Sequence, residues 1–147
     1  LRVFNVCGPG QCGGSAYSTA VSAWCHAIKN NLELRSDGTG EQTRDMCYVD
    51  NVVQANIKAM NRKEKFLGER LNVACGDRTS NNEILEFLKN RYPNVTIKNA
   101  PPRPGDVMHT QADVTLTSSM IGYDPEVKFW EGLERTLSWW DINQEVK

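Results

Sequence analysis

A mixed α/β fold is predicted by two patterns that run the length of the chain. Short β-rich runs alternate with amphipathic helical stretches, and Gly, Pro, Asn or Asp punctuates each switch. Size agrees, because 147 residues are one domain's worth and can bury a core. The composition, 39% hydrophobic and 24% charged, is that of a globular chain. A formal net charge of −1 gives no general attraction to nucleic acid or to an anionic membrane. An anion site must therefore be built from a few placed residues.

The elements follow in order. Residues 1–7 alternate like a strand, and the Gly-rich loop 8–15 ends it. Ser18 suits the N-cap of a helix running to about Asn31. Leu32–Arg35 suits a short strand, Asp37-Gly38-Thr39-Gly40 a turn, and Thr43–Val49 is β-rich. Asp50 is placed to cap an amphipathic helix to Asn61, with Val52, Val53, Ile57 and Met60 on one face. Leu71–Cys75 reads as a strand. Ser80-Asn81-Asn82-Glu83 spells a capping box, whose helix offers Ile84, Leu85, Phe87 and Leu88 to the core. Val95–Lys98 is a further strand. Pro101-Pro102-Arg103-Pro104-Gly105-Asp106 is a rigid extended loop, because proline excludes helix and central strand. Asp113 suits the cap of a short helix that Gly122 ends. From Phe129 a last helix carries Leu133, Leu137 and Trp140 on one stripe.

Five cysteines, Cys7, Cys12, Cys25, Cys47 and Cys75, contain no C-x-x-C pair. Their apolar surroundings suit reduced thiols in a cytoplasmic protein. With only His26 and His109 available, no spacing resembles a zinc site. No apolar run approaches the ~18 residues of a membrane span. The opening residues do not resemble a signal peptide. A chain that opens inside a core strand, without an initiator Met, is read as a fragment of a larger fold, with 1–147 as one domain.

Gly8-Pro9-Gly10-Gln11-Cys12-Gly13 spells G-x-G-x-x-G after a strand, with Glu33 and Asp37 roughly 20 residues on, which is the spacing of a dinucleotide fingerprint. Three features oppose that reading. Gly14 and Ser15 delay the helix to about Ser18, so its N-terminus is too far away to receive a pyrophosphate. Pro9 removes an amide donor from the turn. Asn5 puts a polar side chain where a parallel sheet wants an apolar one.

Three motifs occur in register: Arg2-Val3-Phe4-Asn5-Val6-Cys7-Gly8-Pro9; Asp37-Gly38-Thr39-Gly40-Glu41-Gln42-Thr43-Arg44-Asp45-Met46-Cys47-Tyr48-Val49-Asp50; and Pro102-Arg103-Pro104-Gly105-Asp106-Val107 with His109 and Ala112-Asp113. Together they resemble the C-terminal half of the extended short-chain dehydrogenases that act on nucleotide sugars. Arg44–Gln54 and Asn72–Thr79 are similar in particular to the UDP-N-acetylglucosamine and UDP-glucose 4-epimerases. The resemblance spans residues 1 to about 141. It implies the substrate-binding portion of that fold with the last strands of its Rossmann sheet, the NAD-binding half being absent.

The resemblance also implies roles. Arg44 and Arg103 would clamp the diphosphate of a UDP-sugar, a task that suits the planar guanidinium. Asn5 would donate its side-chain amide to the diphosphate or the sugar. Asp106 would accept ribose hydroxyls. Ala20 and Val21, entering the first helix with Ser22, would pass the nucleobase and meet it through backbone groups. Phe4 would approach the nicotinamide of NAD held by the missing half. Read without the resemblance, Arg44 and Asp45 are a surface ion pair, Asp106 holds its own turn, and Asn5 is a buried amide satisfied by a neighbouring loop. Tyr17, Tyr48, Trp139 and Trp140 read as packing residues and His109 as a structural hydrogen-bonder.

The chain departs from the family at several positions. Gly10 and Cys12 stand where Arg and Asp are usual, Ser22 and Ala23 where Pro and Lys are usual, and Met108 where Arg is common. No Y-x-x-x-K exists, because Tyr17, Tyr48, Tyr92 and Tyr123 are followed four residues on by Val21, Val52, Thr96 and Val127. In the family that this chain resembles, the Tyr of that pair is the base for epimerisation at the sugar C4, so the resemblance implies no turnover by this chain alone. NAD is expected for the intact enzyme, not for the fragment. Two further readings stand beside the 4-epimerase: a sugar-nucleotide 4,6-dehydratase or UDP-glucuronate decarboxylase, and a non-catalytic or split-enzyme module. The strands at 1–7 and 71–75 would be bare edges. A missing Rossmann domain, a partner chain or a homodimer is expected to cover them.

Overall fold

The structure is a computed structural model, and it describes residues 1–15 and 18–142. Tyr17 lies outside the described residues. In chain order the elements are β1 (Arg2–Val3), β2 (Val6–Cys7), α1 (Ala20–Lys29), β3 (Leu34–Asp37), β4 (Thr43–Arg44), β5 (Cys47–Tyr48), α2 (Val49–Met60), β6 (Asn72–Val73), β7 (Thr79–Ser80), α3 (Asn81–Arg91), β8 (Ile97–Ala100), α4 (Thr115–Ile121) and α5 (Phe129–Ile142). The strands pair two by two. β1 with β6, β2 with β5 and β3 with β8 are parallel, and β4 with β7 is antiparallel. The mixed α/β expectation holds, in the form of small parallel pairs rather than one broad sheet.

The strand expected over 1–7 is broken at Asn5, whose φ of 23° lies in the left-handed region. Asn tolerates that region because its short polar side chain bonds locally. Its Nδ2 donates to the Asp45 carbonyl at 2.9 Å, and its own carbonyl accepts the Cys47 N–H at 3.2 Å. The kink hands the chain from β6, its partner at Arg2, to β5, its partner at Val6.

Thr19, not Ser18, caps α1, its hydroxyl accepting from the Ser22 N–H. Gly13 is required just upstream, because a Cβ there would fall 2.1 Å from the Ser22 carbonyl oxygen. Val21, Trp24 and Cys25 of α1 are buried with Leu34, Ile84, Leu85, Leu88, Leu133 and Leu137 in the larger core. A smaller core holds Cys47, Ala55, Val73 and Tyr123. α3 begins with the expected capping box: Ser80 Oγ accepts the Glu83 N–H, and Glu83 accepts the Ser80 N–H at 2.7 Å. Asp113 accepts the Thr115 N–H at 2.9 Å beside α4, which Gly122 ends in the left-handed region.

The helix α2 departs from expectation twice. It begins at Val49 after Tyr48, so Asp50 sits inside the first turn and favours the helix dipole rather than capping. The supposed core stripe is also largely outside. Val53 and Ile57 are about half exposed and Met60 is 83% exposed. The core takes the opposite side of the helix, where Ala55 is buried and Asn51 exchanges two hydrogen bonds with Val127, its Nδ2 donating to the carbonyl at 2.7 Å and its Oδ1 accepting the N–H at 3.0 Å. No helix among the described residues is long and apolar enough to cross a membrane. All five cysteines are free, and burial pushes the Cys7 and Cys25 thiols up to about 12.

Candidate functional site

The site grows from the alternation of β3. Leu34 and Ser36 point into the core, while Glu33, Arg35 and Asp37 line a cavity of about 300 Å³ on the other face. Trp24 fixes this strand, its indole N–H donating to the Arg35 carbonyl at 2.8 Å. β8 runs parallel in register, Asp37 opposite Ala100, and the Gly38 N–H donates to the Ala100 carbonyl at 2.9 Å. The Pro-rich loop that leaves β8 is thereby carried back over the end of β3. Arg103 Nε reaches Asp37 Oδ2 at 2.6 Å, and Arg35 Nε reaches Asp37 Oδ1 at 2.6 Å. Burial alone would push the Asp37 carboxyl up; the bonds from the two guanidiniums outweigh it and hold the group below the usual carboxylate range.

The other wall comes from β4. Thr43 is flanked by the segment 108–110, with its N–H donating to the Met108 carbonyl at 2.8 Å and its carbonyl accepting the Thr110 N–H at 3.1 Å. Its hydroxyl meets His109 Nδ1 at 2.9 Å, so His109 is a hydrogen-bonding partner of this strand. Arg44 donates to the Thr43 carbonyl at 2.8 Å and pairs with Asp106.

Asp45 ties the end of the β4 wall to the segments at 75–76 and at 112. It is 0% exposed and makes no ion pair among the described residues; its carboxylate accepts three backbone N–H groups, from Cys75, Gly76 and Ala112, each at 3.0 Å. Burial pushes its carboxyl above the ordinary value, and those donors pull it part of the way back. The surface ion pair read for Arg44 and Asp45 is therefore corrected. Arg44, at the end of β4, faces the cavity and Asp106, while Asp45, just past the strand, is buried.

Of the residues expected to bind ligand, Asn5, Ala20, Arg44, Arg103 and Asp106 line this one cavity, with Thr19, Gln42 and Asn81. Val21 does not; the turn of α1 buries its side chain in the core. The Asn5 amide donates one hydrogen bond to the Asp45 carbonyl at 2.9 Å. Phe4 lies outside the cavity, half-buried at the end of β1, its N–H donating to the Val73 carbonyl at 3.1 Å. Arg35, Asp37 and Asp45 were not assigned from sequence. Period-2 alternation could have found the first two had the strand been extended to Asp37. An acid followed directly by the apolar Met46-Cys47-Tyr48 was the available signal for Asp45.

The Gly-rich loop does not fit a dinucleotide fingerprint. Ten residues after Pro9, the Thr19 hydroxyl already occupies the N-terminus of α1, and Ser18 Oγ donates to the Cys12 carbonyl at 3.0 Å, closing the loop on itself. No glycine of that loop opens the helix onto which a pyrophosphate would sit.

Residues 1–74 match the profile of the NAD dependent epimerase/dehydratase family. A putative UDP-glucose 4-epimerase of Methanocaldococcus jannaschii is 34% identical over 99% of this chain and 46% of its own length. A UDP-N-acetyl-alpha-D-glucosaminuronate decarboxylase of Bacillus cytotoxicus is 28% identical over 95% of this chain and 44% of its own. Among solved structures, the UDP-glucose 4-epimerase of Thermotoga maritima, with UDP-glucose, superposes with a TM-score of 0.88 at 32% identity, over 99% of this chain and 46% of that one. The chain spans under half the length of these relatives.

Proposed function

The chain belongs to the NAD dependent epimerase/dehydratase family, and from that premise we propose that it binds the diphosphate of a UDP-sugar as the substrate-binding portion of a 4-epimerase-like enzyme. One observation carries the reading. Arg44 on β4 and Arg103 on the Pro-rich loop, far apart in sequence, face the same cavity. Cations on separate rigid elements are what a diphosphate clamp needs. Asp106, which pairs with Arg44, retains acceptor capacity for ribose hydroxyls. The cavity volume of about 300 Å³ is at the small end of ligand pockets, as suits part of a site completed from elsewhere.

The chemistry of NAD would come from a domain outside these residues or from a partner chain, because neither the Gly-rich loop nor a Y-x-x-x-K pair supplies it here. The apolar stripe Val53, Ile57 and Met60 on α2 and the one-sided pairing of β1 support a covering partner, a second copy included. A decarboxylase is a second reading, favoured by the relative of that name. Both share the same clamp.

The test is calorimetric titration with UDP of the wild type, Arg44→Ala and Arg103→Ala. Each substitution is expected to weaken binding about tenfold or more, ~1.4 kcal/mol. Unchanged affinity in both would remove the clamp and with it this function.

A further inference from the structure

Among the described residues lining the cavity, Asp37 is the acid that holds two cations, the clamp residue Arg103 and Arg35, which the clamp reading does not include. The Asp37 side chain is 11% exposed, whereas those of the arginines it joins, Arg35 and Arg103, are 61% and 60% exposed. Both approach through Nε, at 2.6 Å on opposite oxygens. Among the described residues, the terminal amino groups of both arginines make no hydrogen bond to a carboxylate. Arg guanidinium binds phosphate oxygens bidentately through such an edge. Pairwise, Arg44 with Asp106 and Lys98 with Glu33 each sum to zero, while Arg35 and Arg103 share the single carboxylate of Asp37. Neither arginine is loose at its base. Arg35 is held by the Trp24 bond to its carbonyl and by register with Lys98, and Arg103 rides on a loop stiffened by Pro101, Pro102 and Pro104.

We infer that Asp37 is a positioning residue that yokes Arg35 and Arg103 into a two-guanidinium fork, and that Arg35 is a third binding arm for the anionic part of a nucleoside diphosphate. This rests on the diphosphate reading and adds to it two residues that the family resemblance does not assign. The bland alternative is an exposed ion pair of little consequence. A second alternative makes Asp37 a built-in competitor that occupies Arg103 until a ligand displaces it. The two alternatives and the fork give different signs in one experiment.

UDP is titrated into the full chain as wild type, Arg35→Ala, Asp37→Asn, Arg44→Ala and Arg103→Ala, at two salt concentrations, with far-UV circular dichroism and thermal midpoints as the fold control. Arg35→Ala is expected to weaken UDP about five- to tenfold and to lower the salt dependence of binding. Asp37→Asn is expected to weaken UDP by a similar factor while keeping the arginines, because the fork is no longer held. Unchanged affinity in Arg35→Ala and Asp37→Asn, beside losses in Arg44→Ala and Arg103→Ala, overturns the fork and leaves the clamp standing. Tighter UDP binding by Asp37→Asn makes Asp37 a competitor and likewise overturns it. No UDP binding by the wild type, or equal binding by all five chains, overturns the fork together with the diphosphate reading.

Discussion

Replacing Asp45 with Ala should be among the most destabilising single substitutions in this chain. The carboxylate holds the N–H groups of Cys75, Gly76 and Ala112, all at 3.0 Å, and is fully buried. Alanine leaves these three backbone donors, that of Ala112 buried and the other two half-buried, without this acceptor. Each unpaired donor costs about 1–3 kcal/mol; local relaxation and water entry limit single substitutions to roughly 4–5 kcal/mol in most cases. We expect about 3–5 kcal/mol, a large share of the roughly 5–15 kcal/mol a domain holds. Asp45→Asn keeps one oxygen as acceptor and turns an amide NH₂ toward the remaining donors, so about 2–3 kcal/mol is expected. The assay is urea unfolding followed by circular dichroism. With a slope of about 2 kcal/mol per M, Asp45→Ala should move the midpoint down by about 1.5 M or more at unchanged slope. A shift below about 0.5 M would show that the three segments do not depend on this carboxylate, and the account of how Arg44 is positioned would fail with it. Arg44 should also lose affinity for UDP in Asp45→Asn without being touched itself, because its strand is anchored through residue 45.

Two other predictions concern stability. Asn51→Ala breaks both bonds to Val127, at 2.7 and 3.0 Å, inside a buried contact; a loss of about 2–4 kcal/mol is expected in the same unfolding assay, and a loss under about 0.5 kcal/mol would mean that α2 is held by apolar packing alone. Asp37, held below the usual carboxylate range by Arg35 and Arg103 against the upward push of burial, contributes stability that is present above the ordinary Asp pKa of about 3.9 and is lost as pH falls through its folded value. Asp45, whose value is raised by burial, has the opposite sign: its contribution is present below about 3.9 and lost as pH rises through the folded value. Wild-type thermal midpoints should therefore fall more steeply below about pH 4 than those of Asp37→Asn, and superimposable curves would refute the assignment.

Local signals in the sequence survived where the determinant was local. The capping box at Ser80, the Gly122 stop and the Pro-rich loop depend on a few neighbouring residues, and each stands as read. The delay of α1 past the glycines was legible for the same reason: the break lies within the loop itself. Strand limits slipped wherever pairing decided them. β3 reaches Asp37 because β8 lies alongside as far as Ala100, and the run at 1–7 divides at Asn5 because two different strands take its halves.

By itself the sequence determined the α/β alternation and, through three motifs in register, the family and the pairing of Arg44 with Arg103 as candidate cations. Amino-acid type and spacing suffice for that, because a guanidinium is a guanidinium wherever it lies. Only the tertiary structure decided what each charge faces. Arg44 meets Asp106 rather than its neighbour Asp45, Asp45 turns inward to backbone N–H groups, and Asp37 joins two arginines from strands and loops more than sixty residues apart. Likewise the apolar stripe of α2 was legible as a stripe, but its exposure was not. Burial and charge pairing are properties of what packs across the chain, and no local pattern carries them.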